Sequence, residues 1–221
     1  MPTLPRPSDL ARHWTLDPEV VYLNHGSFGA TPRAVLEAQA EFRARLEREP
    51  VRWFVESFDE LMDQARAATA AFVRCPAEDL VFIPNATQAV ATVLLNIEPT
   101  LKPGDELLAT SHEYPACLNN LARIAQRTGA KVVSVPLPFP LSSPEQITQA
   151  ILAAATPRTR LALISQVTSP SGIILPIEDL VAPLEARGIQ TVIDGAHAPG
   201  FTPRADLNTL NPSYYTANCH K

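Results

Sequence analysis

Short, continuous apolar segments alternate with helical stretches over most of this 221-residue chain. A strand whose residues are apolar without alternation is covered on both faces, which is the pattern of a parallel sheet between layers of helices. The sequence therefore predicts an α/β fold with a mostly parallel sheet and helices on both faces. The predicted strands are residues 80–83, 106–110, 131–137, 161–165, 191–194 and 214–217.

Helices are predicted between these strands, and residues with special backbone preferences mark their ends. The predicted helices are residues 87–96, 116–127, 144–155 and 176–187. Gly129 and Gly188 follow two of them, and glycine is typical of the position just beyond a helix C-terminus. Pro183 lies inside the last of the four, so this helix is predicted to be kinked or split.

The beginning of the chain is predicted to consist of helices without strands. Thr31 and Pro32 are typical of a helix start, and apolar residues then recur at helical spacing. A second amphipathic stretch covers residues 56–74. We therefore expect an N-terminal segment with helices over residues 1–60, followed by a domain over residues 61–221.

Composition and charge limit the class of protein. Apolar residues make up 46% of the chain and charged residues 19%, as in an ordinary globular protein. The net charge is −5 without a long basic run, so nucleic acid is not expected as a partner. No segment approaches the apolar length of a membrane span, so no membrane association is expected. The three cysteines are widely spaced, which disfavours a disulfide framework or a zinc site and favours a cytoplasmic location.

Polar residues follow five of the predicted strands. Because ligands of parallel α/β sheets bind beyond the carboxyl ends of the strands, we expect a functional site there. The segments concerned are residues 85–88, 111–114, 166–169, 194–197 and 218–221.

Two of these segments allow a binding role and a simpler structural role. Asn85 and Thr87 open a helix, whose free N–H groups suit a phosphate, although Asn85 is also a plain helix N-cap. Tyr114 can stack on a flat cofactor ring or be a loop residue before the helix that begins at Pro115. No second His or Cys stands at ligand spacing from His112, so no metal is expected.

The last two segments carry a carboxylate and an amine. Asp194 ends an apolar run, where an unpaired carboxylate is costly. Its partner can be the protonated nitrogen of a pyridine ring or an arginine; alternatively Asp194 caps the turn. His197 can hydrogen-bond a phenolic oxygen. Lys221 ends another apolar run and can hold pyridoxal phosphate as a Schiff base, although an isolated lysine is usually solvated.

Taken together, these residues resemble the class V aminotransferase family of fold-type I pyridoxal phosphate enzymes, and within it the isopenicillin N epimerase-like branch. Residues 22–29 are similar to that branch's LNHGSFG segment. Residues 168–172 resemble the segment beside the cofactor ring, and 194–197 the residues that hold the ring. Residues 218–221 resemble the family's S-G-H-K motif, with Asn218 in place of serine.

The resemblance implies a role for each of these residues. Lys221 would form the Schiff base and move the α-proton, Asp194 would keep the ring nitrogen protonated, and His197 would lie near the ring oxygen. The other implied cofactor-binding residues are Asn85, Ala86, Thr87, Asn218 and His220 at the phosphate, with Tyr114 and Thr168 at the ring. Asn24 and His25 would lie on the substrate side.

The same resemblance implies a pyridoxal-phosphate-dependent enzyme of epimerase or aminotransferase type. Its substrate would be an amino acid or a similar small molecule, and the full-length protein would be a homodimer. A cysteine desulfurase or C–S lyase of the same family is an alternative. An inactive remnant and an unrelated α/β binding domain are further alternatives.

The resemblance also implies that family members continue beyond the residue that corresponds to Lys221. Their next strand, antiparallel, lies between the strands corresponding to 80–83 and 214–217, and a C-terminal small domain follows. We therefore expect this chain to be the N-terminal part of such an enzyme, without the small domain and inactive by itself.

Overall fold

The computed structural model describes residues 6–202 and 206–221, which group into two compact units. The first unit contains the described residues up to Thr69 together with Cys219–Lys221, and the second is Ala70–Asn218. The predicted domain division between residues 60 and 61 stays a prediction.

The first unit contains helices α1 (Arg33–Arg48), α2 (Pro50–Arg52) and the greater part of α3 (Phe58–Val73), with a π-helical segment, Trp53–Ser57, between α2 and α3. Helix α1 begins at Arg33, next to the helix start expected at Thr31 and Pro32, because Pro32 has extended backbone angles and takes the N-cap. The predicted helix over residues 56–74 is confirmed by α3 and the end of the π-helical segment. The helical structure that leads into α3 starts at Pro50, the first residue of α2.

The second unit contains one sheet of five strands in the order β2-β1-β3-β4-β5. All four pairings are parallel, which confirms the predicted fold class. The strands are β1 (Glu106–Thr110), β2 (Lys131–Val135), β3 (Thr159–Ser165), β4 (Gln190–Gly195) and β5 (Tyr214–Ala217).

The predicted strand at residues 80–83 is wrong. Leu80 has extended backbone angles, but the segment pairs with no strand of the described residues, and Val81 is 79% exposed. Within the same residues β5 pairs only with β4. A strand is held by hydrogen bonds to a neighbour, so an apolar segment without one remains irregular.

Helices cover both faces of the sheet, as predicted. They are α4 (Ala86–Ile97), α5 (Pro115–Thr128), α6 (Pro144–Ala154), α7 (Val181–Glu185) and α8 (Leu207–Leu210). One apolar cluster joins α4 and α5 to side chains such as Leu163 and Val192. The other cluster joins α6 and α7 to alternate residues of the same strands, including Ile164 and Ile193.

The end of α5 and the division of the predicted helix over 176–187 agree with the sequence analysis. Gly129 ends α5 with a left-handed backbone, φ 77°, as predicted. The predicted helix over 176–187 is split into a 3₁₀ turn, Ile177–Asp179, and α7. Pro183 lies in the first turn of α7, where the missing N–H of proline is tolerated.

Charged pairs lie at the amino ends of the central strands. Arg158 Nε donates to Glu106 Oε1 at 2.9 Å, and Arg160 Nε donates to Asp105 Oδ1 at 2.9 Å. At the opposite edge, where the carboxyl ends of the strands meet, lie Ser165, Asp194 and Thr216. No helix among the described residues is long and apolar enough to cross a membrane.

Candidate active site

A row of polar side chains crosses one face of the sheet at the carboxyl ends of three strands. Ser165 of β3 pairs in register with Asp194 of β4, and Asp194 pairs with Thr216 of β5. Paired residues on parallel strands project to the same side. Two residues earlier on the same three strands, the corresponding row on this face consists of Leu163, Val192 and Tyr214. The sheet surface therefore changes from apolar to polar at its carboxyl edge.

Asp194 is the centre of this row and is only 5% exposed. Its Oδ1 accepts a hydrogen bond from the backbone N–H of Ala196 at 3.0 Å, so the turn-capping role considered for this residue is present. Its Oδ2 accepts from the thiol of Cys117 at 3.7 Å. A thiol is a weak donor, and charged N–H donors make the stronger hydrogen bonds to carboxylates.

Cys117, on α5, is a residue that the sequence analysis missed. Burial, followed by the nearby charge of Asp194, raises the pKa of the Cys117 thiol to about 12. The thiol is therefore protonated at neutral pH and acts as a donor to Asp194, not as a nucleophile. Its distance from Asp194 in sequence leaves no signal by which the contact could have been found.

Glu113 is a second buried carboxyl near the row, at 2% exposure. Thr110 Oγ1 donates to its Oε1 at 2.6 Å, and Ser165 Oγ donates to its Oε2. Burial raises the pKa of Glu113 to about 7, although the two hydroxyl hydrogen bonds act in the opposite direction. The polar segment around His112 was recognised in the sequence, but the burial of Glu113 was not.

The amino end of α4 is joined to the tip of β5 by Asn218. The buried Asn218 accepts a hydrogen bond at Oδ1 from Ala86 N at 2.9 Å, and its Nδ2 donates to Ala196 O at 3.5 Å. Asn85 Oδ1 accepts from Gln88 N at 2.9 Å, which confirms the N-cap reading of Asn85. Three predicted site segments therefore meet at the first turn of α4, which also carries the half-buried Thr87.

The loops after β1 and β3 are joined by a chain of polar contacts. His112 Nδ1 lies 2.8 Å from Ser171 Oγ, and Ser171 Oγ lies 2.8 Å from Thr168 Oγ1. Tyr114 follows in the first of these loops and is 41% exposed, so its ring is accessible for stacking. His197, in the turn after β4, is half-buried.

Gly195, which follows Asp194, lies against Tyr215 on the opposite face of the sheet. Tyr215 OH donates to Gln166 Oε1 at 2.6 Å, and Gln166 N donates to the backbone oxygen of Asp194 at 2.9 Å. A Cβ atom on Gly195 would overlap the phenol of Tyr215. Any other residue at position 195 would therefore require the Tyr215 side chain to move. The hydrogen bonds of Gln166 join the carboxyl ends of β3, β4 and β5 on this face.

The first unit contains the remaining predicted site residues: Asn24, His25, His220 and Lys221. His25 Nδ1 accepts a hydrogen bond from Ala30 N at 3.3 Å. A Cβ atom on Gly29 would overlap the carbonyl group of His220, so the segment that resembles LNHGSFG lies against the backbone next to Lys221.

Cys219, in the same unit, is exposed. Strand β5 ends at Ala217, so the alternation of side chains along a strand does not extend to position 219 and does not bury this residue.

The side chains of the second unit fit pyridoxal phosphate. Thr216 Oγ1, beside Asp194 in the polar row, is buried and has no hydrogen-bond partner among the described residues. The amino end of α4 suits a phosphate, and a buried carboxylate suits a protonated ring nitrogen. No group of three or more His, Cys, Asp or Glu residues in the described part of the chain could hold a metal ion.

The sheet, with its polar residues at the strand ends, is the large-domain fold of fold-type I pyridoxal phosphate enzymes. Cysteine desulfurase CsdA from Escherichia coli matches it with a TM-score of 0.80 at 24% identity, over 99% of this chain and 55% of that one. A C-DES mutant with glycine covalently linked to its PLP cofactor matches with a TM-score of 0.83 at 22% identity, over 97% and 56%. At these identities the likeness establishes the fold.

The chain belongs to the aminotransferase class-V family, whose model matches residues 21–221. The resemblance stated from the sequence motifs is thereby confirmed, and the alternative of an unrelated α/β domain is wrong. Family membership also supports the prediction that pyridoxal phosphate is the cofactor.

Several curated proteins are similar to this chain over nearly its whole length. Isopenicillin N epimerase from Streptomyces clavuligerus is 39% identical over 93% of this chain and 51% of the relative. The protein of the same name from Amycolatopsis lactamdurans is 38% identical over 94% and 52%. Putative L-cysteine desulfhydrase 2 from Oryza sativa subsp. japonica is 32% identical over 97% and 47%. The chain spans about half the length of the curated relatives it matches.

Proposed function

We propose that this protein binds pyridoxal phosphate through Lys221 and acts on an amino acid or an amino-acid-like substrate, as an epimerase or an aminotransferase. The observation that carries the proposal is the buried Asp194 carboxylate, which lies at the carboxyl edge of the sheet with its Oδ2 beside the Cys117 thiol. A protonated ring nitrogen is the partner that this oxygen suits best.

When bound, pyridoxal phosphate supplies a ring that stabilises negative charge at the substrate α-carbon. The protein's own residues would orient it. Ala86 and Thr87, at the amino end of α4, would bind the phosphate together with Asn218 and His220. Asp194 would hold the proton on the ring nitrogen, and His197 would donate to the ring oxygen.

The remaining residues would handle the substrate. Tyr114 would stack on one face of the ring and exclude water from it. Lys221 Nζ would take the proton from the substrate α-carbon, and in an epimerase the new proton would reach that carbon from the opposite face. Asn24 and His25 would contact the substrate, and Thr168 would lie beside the ring.

Cofactor titration tests the binding step. Addition of pyridoxal phosphate to the wild-type protein should produce an absorbance band near the edge of the visible range, and Lys221→Ala should lack it. Asp194→Asn, which keeps the size of the side chain and removes its charge, should weaken cofactor binding by about tenfold or more. A band of equal strength in Lys221→Ala would show that the lysine is wrongly assigned.

The reaction is tested by following the substrate α-carbon. With an active wild-type protein, amino acids incubated in deuterated water should exchange the α-proton, and Lys221→Ala should not support exchange. Chiral analysis then separates an epimerase, which inverts the centre, from an aminotransferase, which consumes an oxo-acid acceptor. The similarity to two isopenicillin N epimerases favours inversion.

A C–S lyase or desulfurase reaction is the second candidate, favoured by the similarity to a putative L-cysteine desulfhydrase. Cysteine would then release sulfide in the presence of the wild-type protein and not in the presence of Lys221→Ala. A desulfurase also needs a cysteine nucleophile. Cys117 does not fit that role, because its thiol is buried and its pKa is raised to about 12 by burial.

We also propose that the full-length protein is a cytoplasmic homodimer. Light scattering of the purified protein gives its molar mass in solution and distinguishes a dimer from a monomer. The predicted division into segments 1–60 and 61–221 is tested by limited proteolysis, with cleavage expected near residue 60.

A further inference from the structure

Glu113 is a buried carboxyl to which the proposed function gives no task. It follows β1 and is held by hydroxyl groups of the last residues of two strands, Thr110 of β1 and Ser165 of β3. Ser165 pairs in register with Asp194, and neighbouring strands lie about 5 Å apart. Two buried carboxyl groups are therefore separated by little more than one serine side chain.

We infer that Glu113 is a positioning residue that acts through Asp194: it loses its proton when a cationic ring nitrogen binds at Asp194, so that cofactor binding is coupled to proton release. This inference rests on the proposed function. The released proton passes to solvent, and no covalent bond is made or broken.

The electrostatic reason is the repulsion between two neighbouring carboxylates. Burial and the charge of Asp194 both favour the neutral form of Glu113. A ring cation at Asp194 offsets that charge and makes the ionised form of Glu113 less costly. By linkage, a cation that promotes ionisation of Glu113 is itself bound more tightly once Glu113 is ionised.

Among the described residues, groups from four elements act on Glu113. The hydroxyls of Thr110 and Ser165 approach from β1 and β3, Asp194 from β4 and Cys117 from α5. The thiol of Cys117 has its pKa raised to about 12, mainly by burial, so it stays neutral. Asp194 is the only charged group among these four. A cation that neutralises the Asp194 carboxylate therefore lowers the pKa of Glu113.

A purely structural role makes a different prediction. Glu113 bridges the ends of β1 and β3, and loss of that bridge alone would lower the stability of the protein at every pH. It would leave the number of protons released on cofactor binding unchanged. Proton release therefore separates the two roles, and it is measured without any reference to catalytic activity.

The experiment is titration calorimetry with pyridoxal phosphate in two buffers of different ionisation enthalpy. At about pH 7, the wild type should release more protons than Glu113→Gln, by up to about one per site. Between about pH 6 and about pH 8, its cofactor Kd should fall about tenfold more than that of the variant. Equal proton release by the two proteins would overturn the inference.

Two further variants keep the test decisive if Glu113→Gln folds poorly. Ser165→Ala removes a hydrogen bond that lowers the pKa of Glu113, so the pH at which the affinity changes should move upward. Glu106→Gln removes a buried carboxyl at the other end of β1 and should leave proton release as in the wild type. An unchanged pH profile in Ser165→Ala would contradict the inference.

Failure of the proposed function has a separate signature. If the wild type shows no Lys221-dependent absorbance band at any pH, cofactor binding itself is refuted. If the band forms but proton release does not depend on Glu113, only the role of Glu113 is refuted.

Discussion

Asn218 Oδ1 accepts a hydrogen bond from the backbone N–H of Ala86 at 2.9 Å, although the two residues are 132 positions apart in the sequence. The bond is buried and joins the tip of β5 to the amino end of α4. Because Asn218 Nδ2 also donates to Ala196 O, one side chain connects three segments of the candidate site.

Replacement of Asn218 should therefore affect the fold and the site in separable ways. Asn218→Ala leaves the N–H of Ala86 without its partner, and we expect a loss of about 1–3 kcal/mol in the free energy of unfolding. Asn218→Asp keeps an acceptor for Ala86 but places negative charge beside the proposed phosphate site. It should weaken cofactor binding more than it lowers stability.

Urea denaturation and cofactor titration measure these two effects. Asn96→Ala is the matched control, since Asn96 is exposed on α4, the helix that Asn218 contacts at Ala86, and donates to the preceding turn. A loss of stability in Asn218→Ala no larger than in Asn96→Ala would contradict the structural role of Asn218.

Gly195→Ala should destabilise the second unit, because the added Cβ overlaps the phenol of Tyr215. Overpacking of this kind costs about 1–3 kcal/mol. In a double-mutant cycle with Tyr215→Ala, the cost of Gly195→Ala should be smaller than in the wild-type background. Additive changes in the urea midpoint would mean that the two positions do not clash.

Tyr215→Phe should lower stability by about 1–3 kcal/mol, since it removes the hydrogen bond to the buried oxygen of Gln166. Tyr215 packs against the apolar cluster on the face opposite Asp194. Cofactor affinity should therefore change much less than in Asp194→Asn. A larger loss of affinity than of stability would assign Tyr215 to the binding site.

Gly29→Ala should disturb the backbone next to Lys221, because the added Cβ overlaps the carbonyl group of His220. We expect slower appearance of the Lys221-dependent absorbance band after cofactor addition. Ser27→Ala, an exposed position in the same segment, is the control and should react at the wild-type rate. Equal rates for the two variants would show that the contact with His220 is unimportant for Lys221.

The buried Glu113 should make the stability of the cofactor-free protein depend on pH. Its pKa is raised to about 7, mainly by burial, whereas glutamate in an unfolded chain titrates near 4.3. Between these values the folded state binds more protons, so stability falls as pH rises. The total loss is on the order of 3 kcal/mol between about pH 4 and about pH 8.

Urea denaturation at several pH values measures this contribution as the difference between the wild type and Glu113→Gln. The variant should be less sensitive to the rise in pH, because glutamine does not titrate. Parallel pH profiles for the two proteins would show that the Glu113 carboxyl titrates normally.

Local features were predicted well from the sequence. The continuous apolar runs 106–110 and 214–217 are strands with the predicted bounds. Asn85 caps α4 and Gly129 ends α5, because each role depends on residues within one turn of helix. The carboxyl edge of the sheet was recognised as the candidate site because parallel strands bring their ends together.

The errors and omissions depend on residues that are distant in sequence. The segment 80–83 has the composition of a strand, but a strand also needs a neighbour, and none pairs with it among the described residues. The contact of Cys117 with Asp194 and that of Glu113 with Ser165 were not predicted. No spacing along the chain indicates which distant side chains will face each other.

By itself, the sequence determined the α/β class, the family and the residues at the strand ends, because these depend on local apolar patterning and on motifs. Only the tertiary structure decided which of those residues are buried together. Burial controls the cost of charge, so it also decided that the pKa values of Glu113 and Cys117 are raised beside Asp194. That effect arises from desolvation by neighbouring elements, which the order of residues does not contain.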